Sequence, residues 1–356
     1  MRTVFILVPS PHPTGPVKGA YALANALAPL RRVVLVFLKR GPGVDAALDE
    51  RVELVSLADT PGGWRGRIAA YRRLLEDAGG RQRVGSISMC LSADWINRFC
   101  RREAVTCSSI RGNLPQNYRL DYGWLGVPLA LGHLLALRTF DHVVAMTRSM
   151  AFQLRWLAAL RTRVIGNFVD EAPLERHRRT GAASGPLRFV FVGSLSVRKQ
   201  PELVIAAIET LREQDVQLDV LGDGPLREML HSLVKSKGLH SRVRLHGQVA
   251  DPYPIVAAAD AFVLPSRSEG VSRATLEALY LGVPCVLRDV DGNAEFIAEN
   301  VNGALFSRDE DLAAAMLRAA RISRQATGDR PANLLPEKFR QEKAAGMYLD
   351  LVESVQ

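Results

Sequence analysis

The stretch "FVLPSRSEGVSRATLEALYLGVPCVL", residues 262–287, reads as a strand, a loop and a helix in succession. Phe262-Val263-Leu264 is a short apolar run ended by Pro265, and Ser266 to Ser272 is a polar connection. Ser272 suits a helix N-cap, because a short side-chain oxygen can accept a bond from the free amides of the first turn. A helix is expected over 273–281, stopped at Gly282 with Pro284 beyond it. Two carboxylates, Glu269 and Glu277, then flank the helix start, one in the loop and one inside the helix. Beside them Gly270 leaves backbone N–H groups open at the positive end of the helix dipole, an arrangement that takes a phosphate or a diphosphate. Glu277 lies about 7 Å along the helix axis, so the two carboxylates can reach hydroxyls on opposite sides of such a group. Taken alone, the pair is better explained as an exposed loop residue and a solvent-facing helix position, and the rest of the chain must decide.

That strand–loop–helix unit repeats along the chain, which is the pattern of parallel sheets with crossover helices. Strands are expected at 4–8, 33–38, 84–89, 104–108 and 143–146, with helices over 19–30 and 92–100. After the small, polar run Thr180 to Pro186, which reads as a linker, the alternation restarts. Strands are expected at 189–192, 218–221, 243–245 and 261–264, with a helix over 201–211. The fold class is therefore α/β: two doubly wound, Rossmann-like domains in tandem, residues 1–170 and 171–335, with a C-terminal helix in 336–356. Ligands of open α/β sheets lie outside the carboxyl ends of the strands, so a cleft between facing strand ends is the expected site.

Composition fits this reading. The chain has 356 residues, long for a single core, and no stretch approaches the roughly 18 apolar residues of a membrane span. Residues 1–9 read as a first strand without a small-residue cleavage site. Cys90, Cys100, Cys107 and Cys285 lack metal-ligand or redox-pair spacing and are expected as reduced core thiols of a cytoplasmic protein. The net charge of +9 is uneven: residues 1–180 hold 26 Lys/Arg against 14 Asp/Glu, the remainder 20 against 23. A basic first half suits an anionic partner or a solvated Arg-rich surface. Nucleic acid finds no recognisable motif here.

Further motifs agree with a diphosphate site. "FVGSLSVRKQPELVIAAI" (191–208) is a strand, a turn at Gly193, the basic pair Arg198-Lys199 and a helix; cations there can stabilise charge developing on a diphosphate leaving group. "LDVLGDGPLREML" (218–230) ends a strand in a glycine turn, where Asp223 reads as a turn residue. The acidic pair at 289–291 is assigned no metal.

Taken in order, "VGSLSVRKQPELVIAAI", "LGDGPLREML", "VRLHGQVADPYPIVAAADAFVLPSRSEGVSRATLEAL" and "GVPCVLRDVDGNAEFI" resemble the donor domain of the retaining glycosyltransferases of GT-B fold, family 4, with its E-x7-E spacing. "VIGNFVDE" (164–171) is similar to the family's interdomain junction, and "EKFRQEKAAGMYLDLVES" (337–354) to its C-terminal helix, which packs back on the first domain. The resemblance implies transfer of a sugar from a nucleoside diphosphate, uridine rather than guanosine, to a hydroxyl acceptor, with retention of configuration and no metal or other cofactor. It implies that Glu269 holds sugar hydroxyls, Glu277 the ribose, and Lys199 with Arg198 the diphosphate. Amides near Gly270, Val271 and Ser272 assist, and Gly247, Gln248 and Val249 lie beside the base. Gly193 keeps its place in the phosphate turn, but Ser194 stands where the family usually has arginine, with Arg198 as the nearest substitute.

In the first domain Gly15 begins a loop-to-helix segment where such enzymes bring backbone close to ligand. Arg111 and Asn113, in the polar stretch 107–126, are read as acceptor or leaving-group contacts or as a structural loop. His12 is the remaining acceptor-side candidate, though for it and for His133 a satisfied structural histidine is the better reading. Two segments read first as ordinary domain helices and second as contacts with an anionic membrane: 64–76, with Trp64, Ile68, Tyr71 and Leu75 along one helical face among arginines, and the apolar run 124–137. The pathway expected is cell-surface polysaccharide, lipopolysaccharide or glycolipid assembly, with a lipid-linked acceptor and a peripheral site at the inner membrane face. The competing readings are a nucleotide-sugar epimerase or hydrolase of the same fold, and a catalytically idle binding subunit.

Overall fold

The computed structural model describes residues 3–354 apart from 13, 42, 44–47, 113, 116–117, 120–122, 180–184 and 326–332. The chain divides into two compact units, Met1–Asp170 with Glu337–Gln356, and Glu171–Pro336.

In the first unit the strands are β1 (Thr3–Val8), β2 (Arg32–Phe37), β3 (Glu53–Ser56), β4 (Val84–Ser88), β5 (Ala104–Ser109), β6 (His142–Ala145) and β7 (Arg163–Val164). Among the described residues they form a parallel sheet of order β3-β2-β1-β4-β5-β6-β7. Its helices begin with α1 (Gly15–Leu27), α2 (Gly63–Gly79), α3 (Leu91–Arg98), α4 (Gly126–Leu137) and α5 (Arg148–Ala158). The first helix starts four residues earlier than its apolar pattern indicates, because Pro16 sits in the first turn, where a missing N–H costs nothing. β1 is buried along its whole length, as expected for a central strand covered on both faces.

The second unit holds α6 (Ala172–Glu175), α7 (Pro201–Thr210), α8 (Arg227–Ser236), α9 (Tyr253–Ala257), α10 (Arg273–Tyr280) and α11 (Leu312–Gln325). Its strands are β8 (Leu187–Val192), β9 (Val216–Leu221), β10 (Val243–Gly247), β11 (Ala261–Leu264), β12 (Cys285–Arg288) and β13 (Gly303–Phe306), again all parallel, in the order β10-β9-β8-β11-β12-β13. The units divide at Asp170/Glu171, ahead of the small-residue run read as a linker. Of that run, 180–184 lie outside the described residues.

The last helix, α12 (Gln341–Glu353), belongs to the first unit and follows a short 3-10 turn at Glu337–Phe339, so the expected single helix is interrupted. Ala344, Ala345, Tyr348 and Val352 join α1 in the core on one face of the sheet. Tyr348 is buried, and its hydroxyl shares a 2.6 Å hydrogen bond with Ser109 Oγ. Ring burial pushes the Tyr348 phenol above its ordinary pKa, so it stays neutral there. Phe5, Tyr71, Leu75 and Ala93 make the core on the opposite face. Tyr71 and Leu75 come from α2, whose apolar stripe therefore faces the sheet rather than a membrane; only Trp64 at its first turn stays exposed. Three of the four cysteines are buried and Cys90 is half-buried, all as free thiols; burial pushes the Cys90 and Cys100 thiols up to about 12.

Because α12 completes the first unit's core, Tyr348→Ala should lower that unit's stability by about 3–5 kcal/mol, the usual cost of emptying a buried aromatic site. Urea unfolding followed by circular dichroism measures it.

Candidate active site

The loops at the carboxyl ends of β8, β9 and β10 lie in direct backbone contact. Gly193 N–H donates to Leu221 O at 3.0 Å, Leu195 N–H to Asp223 O at 3.0 Å, and Gly222 N–H to Gly247 O at 2.7 Å. Gly222 has φ +133°, and a Cβ there would stand 1.9 Å from Gly193 O. Glycine is needed at 222 for both reasons. Ser194 sits at this junction, its hydroxyl 3.3 Å from Ser196 Oγ. Gly247 has φ +69°, Gln248 beside it is exposed and Val249 half-buried.

Next to these loops, the turn before α7 and the loop after β11 are joined by charge. Arg267 N–H donates to Arg198 O at 2.9 Å. Lys199 Nζ forms a short hydrogen bond to Glu269 Oε1, and Arg198 Nη1 donates to the same oxygen at 2.9 Å and to Ser268 O at 2.7 Å. The side chains of Lys199 and Glu269 are only 11% and 8% exposed, so each is the neutralising partner the other needs. Burial holds the Lys199 amine below its ordinary pKa, Glu269 works against that shift, and Arg198 adds to it. The cluster keeps capacity for a ligand. Both bonds to Glu269 use Oε1, leaving Oε2 as an acceptor. Arg198 uses only Nη1 among the described residues, and an ammonium has three donors.

Asp291 is the site residue that sequence reasoning missed. Its Oδ2 accepts from Glu269 N–H at 2.7 Å and from Ser268 Oγ at 2.9 Å, so it holds the loop that carries Glu269. Asp291 itself has φ +52°, a conformation Asp tolerates better than most residues. The "DVD" pattern was the available signal; it marks loop fixation. Among the described residues no cluster of His, Cys, Asp or Glu has metal-binding geometry.

α10 begins at Arg273, between Glu269 and Glu277, as the strand–loop–helix reading expects. Ser272 is extended and its Oγ accepts from Thr275 N–H at 3.4 Å, the expected cap. Val271 and Ser272 are buried and Gly270 half-buried. Arg273 and Ala274 form the first turn, at the positive end of the helix dipole. Glu277 lies within 3.9 Å of Arg273 on the same helix, and its carboxylate is mostly buried.

In the first unit, Arg111 lies at the carboxyl ends of the strands. It donates from Nη1 to Asn167 Oδ1 at 2.8 Å and lies 2.9 Å from Met89 Sδ through Nη2. A Cβ on Gly19 would stand 3.0 Å from that Nη1, so Gly19 of α1 makes room for the guanidinium. Asn167 was not singled out in the sequence, and sequence distance hides the pairing. Gly15 opens α1, with open space around its Cα. His12 is exposed; Asn113 lies outside the described residues. His133 is buried and structural, its two ring nitrogens bonded to Asp94 and Tyr118 at 2.9 Å each.

Two tandem parallel-sheet units with this site define the GT-B fold. Residues 186–321, within the second unit, match the family model for Glycosyl transferases group 1. The chain is 27% identical over 323 residues to the lipopolysaccharide core biosynthesis glycosyltransferase LpsE of Rhizobium meliloti (strain 1021), covering 87% of this chain and 93% of that one. Among solved structures, Anabaena Alr3699/HepE in complex with UDP and glucose aligns with a TM-score of 0.76 at 18% identity, over all of both chains. The apo form of the lipopolysaccharide outer core galactosyltransferase WaaB aligns with a TM-score of 0.72 at 17% identity, over 99% of each chain.

The loop stacking makes Gly222 a point of failure. Gly222→Ala should destabilise the second unit by more than about 1 kcal/mol, read as a lower urea midpoint with an unchanged slope.

Proposed function

We propose that this protein is a retaining glycosyltransferase that moves a sugar from a uridine diphosphate sugar to a hydroxyl acceptor in the assembly of lipopolysaccharide or a related cell-surface glycan. The observation that carries the reading is the buried Lys199–Glu269 pair, with Arg198, at the carboxyl ends of β8 and β11 within the matched domain. In this reading the free donors of Lys199 and Arg198 and the α10 amides take the diphosphate and stabilise the charge that grows on it as the glycosidic bond breaks. Glu269 Oε2 accepts from sugar hydroxyls and Glu277 from the ribose, while Gly247, Gln248 and Val249 border the base. The leaving phosphate takes the acceptor proton on the face it departs from, so the two glutamates position hydroxyls and neither acts as a nucleophile. Charge neutralisation by side chains and helix amides makes the reaction metal-independent. Arg198 fills the role left open by Ser194. In the first unit, Arg111, with Gly15 and His12 near the start of α1, serves the acceptor. A lipid-linked acceptor fits the sequence similarity to lipopolysaccharide enzymes and the basic first half, and we read the protein as peripheral at the inner face of the membrane.

A thermal-shift panel of uridine and guanosine nucleotides and their sugars tests the donor site. A nucleotide at a hundred times its Kd adds about 2.7 kcal/mol to folding stability, so uridine forms should raise Tm, guanosine forms should not, and Glu277→Ala should lose the shift. No shift with any nucleotide at millimolar concentration would refute the donor assignment. With a matched acceptor, proton NMR of the product should show the donor's anomeric configuration, unchanged in EDTA.

The Lys199 environment sets a pH dependence. Diphosphate binding needs the ammonium, which is present below its folded-state pKa and lost as pH rises through it. Burial lowers that pKa and the Glu269 charge opposes the lowering, so Glu269→Gln should move the loss to lower pH. Calorimetric titration with UDP between about pH 7 and about pH 10 should show the variant binding at least as well as the parent at the lower end. Its affinity should then fall earlier as pH rises. Superimposable profiles would remove Lys199 from the diphosphate site.

A further inference from the structure

α4 is apolar on every side, a composition that belongs to a helix buried all round or to one in contact with lipid. Only one side is buried. Ala130, His133, Leu134 and Leu137 face inward, and the His133–Asp94 bond ties the helix to α3. The opposite side carries Val127, Leu131 and Leu135 at helical spacing, and Trp124 stands in the 3-10 turn Gly123–Leu125 just before the helix; all are exposed, Trp124 to 81%. Beside it α5 continues the surface with Phe152, 66% exposed, and Trp156, 80% exposed. Arg155 lies next to Trp156 on the same exposed side. Contiguous apolar surface of this kind marks an interaction site.

Charge identifies the occupant. On the two helices and their ends lie Arg138, Arg148 and Arg155, all exposed, and no acidic residue. A tryptophan beside an arginine, next to an apolar helix face, is the composition of an element lying in the headgroup layer. There indole rings sit at the polar boundary and guanidinium groups reach phosphates while their stems stay in apolar surroundings. A second copy of the chain would instead cover Arg155 with a surface of the same sign, since no acidic residue lies on either helix.

We propose that the outer faces of α4 and α5 form a docking surface for an anionic lipid bilayer. It deepens the membrane-facing part of the functional reading by assigning the contact to α4 and α5; α2 is excluded because its stripe lies against the sheet. The contact is independent of nucleotide binding, so it can fail while the donor site stands, and the reverse.

Flotation of the full-length protein with vesicles tests the surface. One set contains phosphatidylglycerol and phosphatidylethanolamine, the other phosphatidylcholine alone. The protein should float with the anionic vesicles and release as salt rises. Leu131→Glu and Trp156→Glu should each weaken partitioning about tenfold or more, since each removes one buried apolar anchor. Arg155→Gln should weaken it about fivefold on anionic vesicles only. Val301→Glu, which changes an exposed apolar residue of the second unit, should float like the parent. All four positions are exposed, and an unchanged Tm verifies that each variant folds. Failure of the parent to float with anionic vesicles would overturn the proposal, as would flotation of Leu131→Glu and Trp156→Glu at the parent level. Sedimentation showing a dimer that Leu131→Glu dissociates, without change in flotation, would reassign the face to self-association and equally overturn it.

Discussion

The ion pair between Lys199 and Glu269 is the interaction on which the candidate site of the second unit rests. Two segments seventy residues apart, the turn before α7 and the loop after β11, meet only because β8 and β11 are neighbours in the sheet. Once they meet, burying either charge alone would be costly, and pairing them removes that cost. Arg198 and Asp291 complete the arrangement from opposite sides, one sharing the carboxylate and the other holding the loop backbone. The ligand-binding capacity of the cluster is what remains after this internal pairing: one carboxylate oxygen, the spare guanidinium donors and the ammonium's other hydrogens.

The glycine loops play a complementary part. In the proposed reading a diphosphate approaches the backbone closely at the carboxyl ends of the strands, and side chains would prevent it. At Gly222 the obstacle would be the carbonyl of Gly193 itself, so the loops after β8 and β9 are shaped by each other before any ligand arrives. Rigidity of this kind keeps donors in place, which is where electrostatic stabilisation draws its strength.

The first unit shows the same economy of parts with a different outcome. α12 is remote in sequence but supplies buried residues beside α1, and its Tyr348 reaches Ser109 at the end of β5. The polar chain His133–Asp94–Ser88 fastens α4 and α3 to β4 from inside. Held from within, α4 can present an apolar outer face without losing its position.

Local patterns were legible because they act within one or two turns of chain. The strand runs, the Ser272 cap, the stop at Gly282, and the placing of Glu269 before the helix and Glu277 inside it all depend on near neighbours. The two-unit α/β architecture followed from their alternation. The tertiary structure decided what depends on strand order. It made Asp291 the holder of the Glu269 loop, brought Asn167 to Arg111, and shared the Glu269 carboxylate between two cations. It also separated two helices that look alike as candidate surfaces: the stripe of α2 is consumed by the sheet, whereas α4 has apolar residues left over. Sequence periodicity shows that a helix has an apolar face; only the packing of its neighbours shows whether that face is already covered.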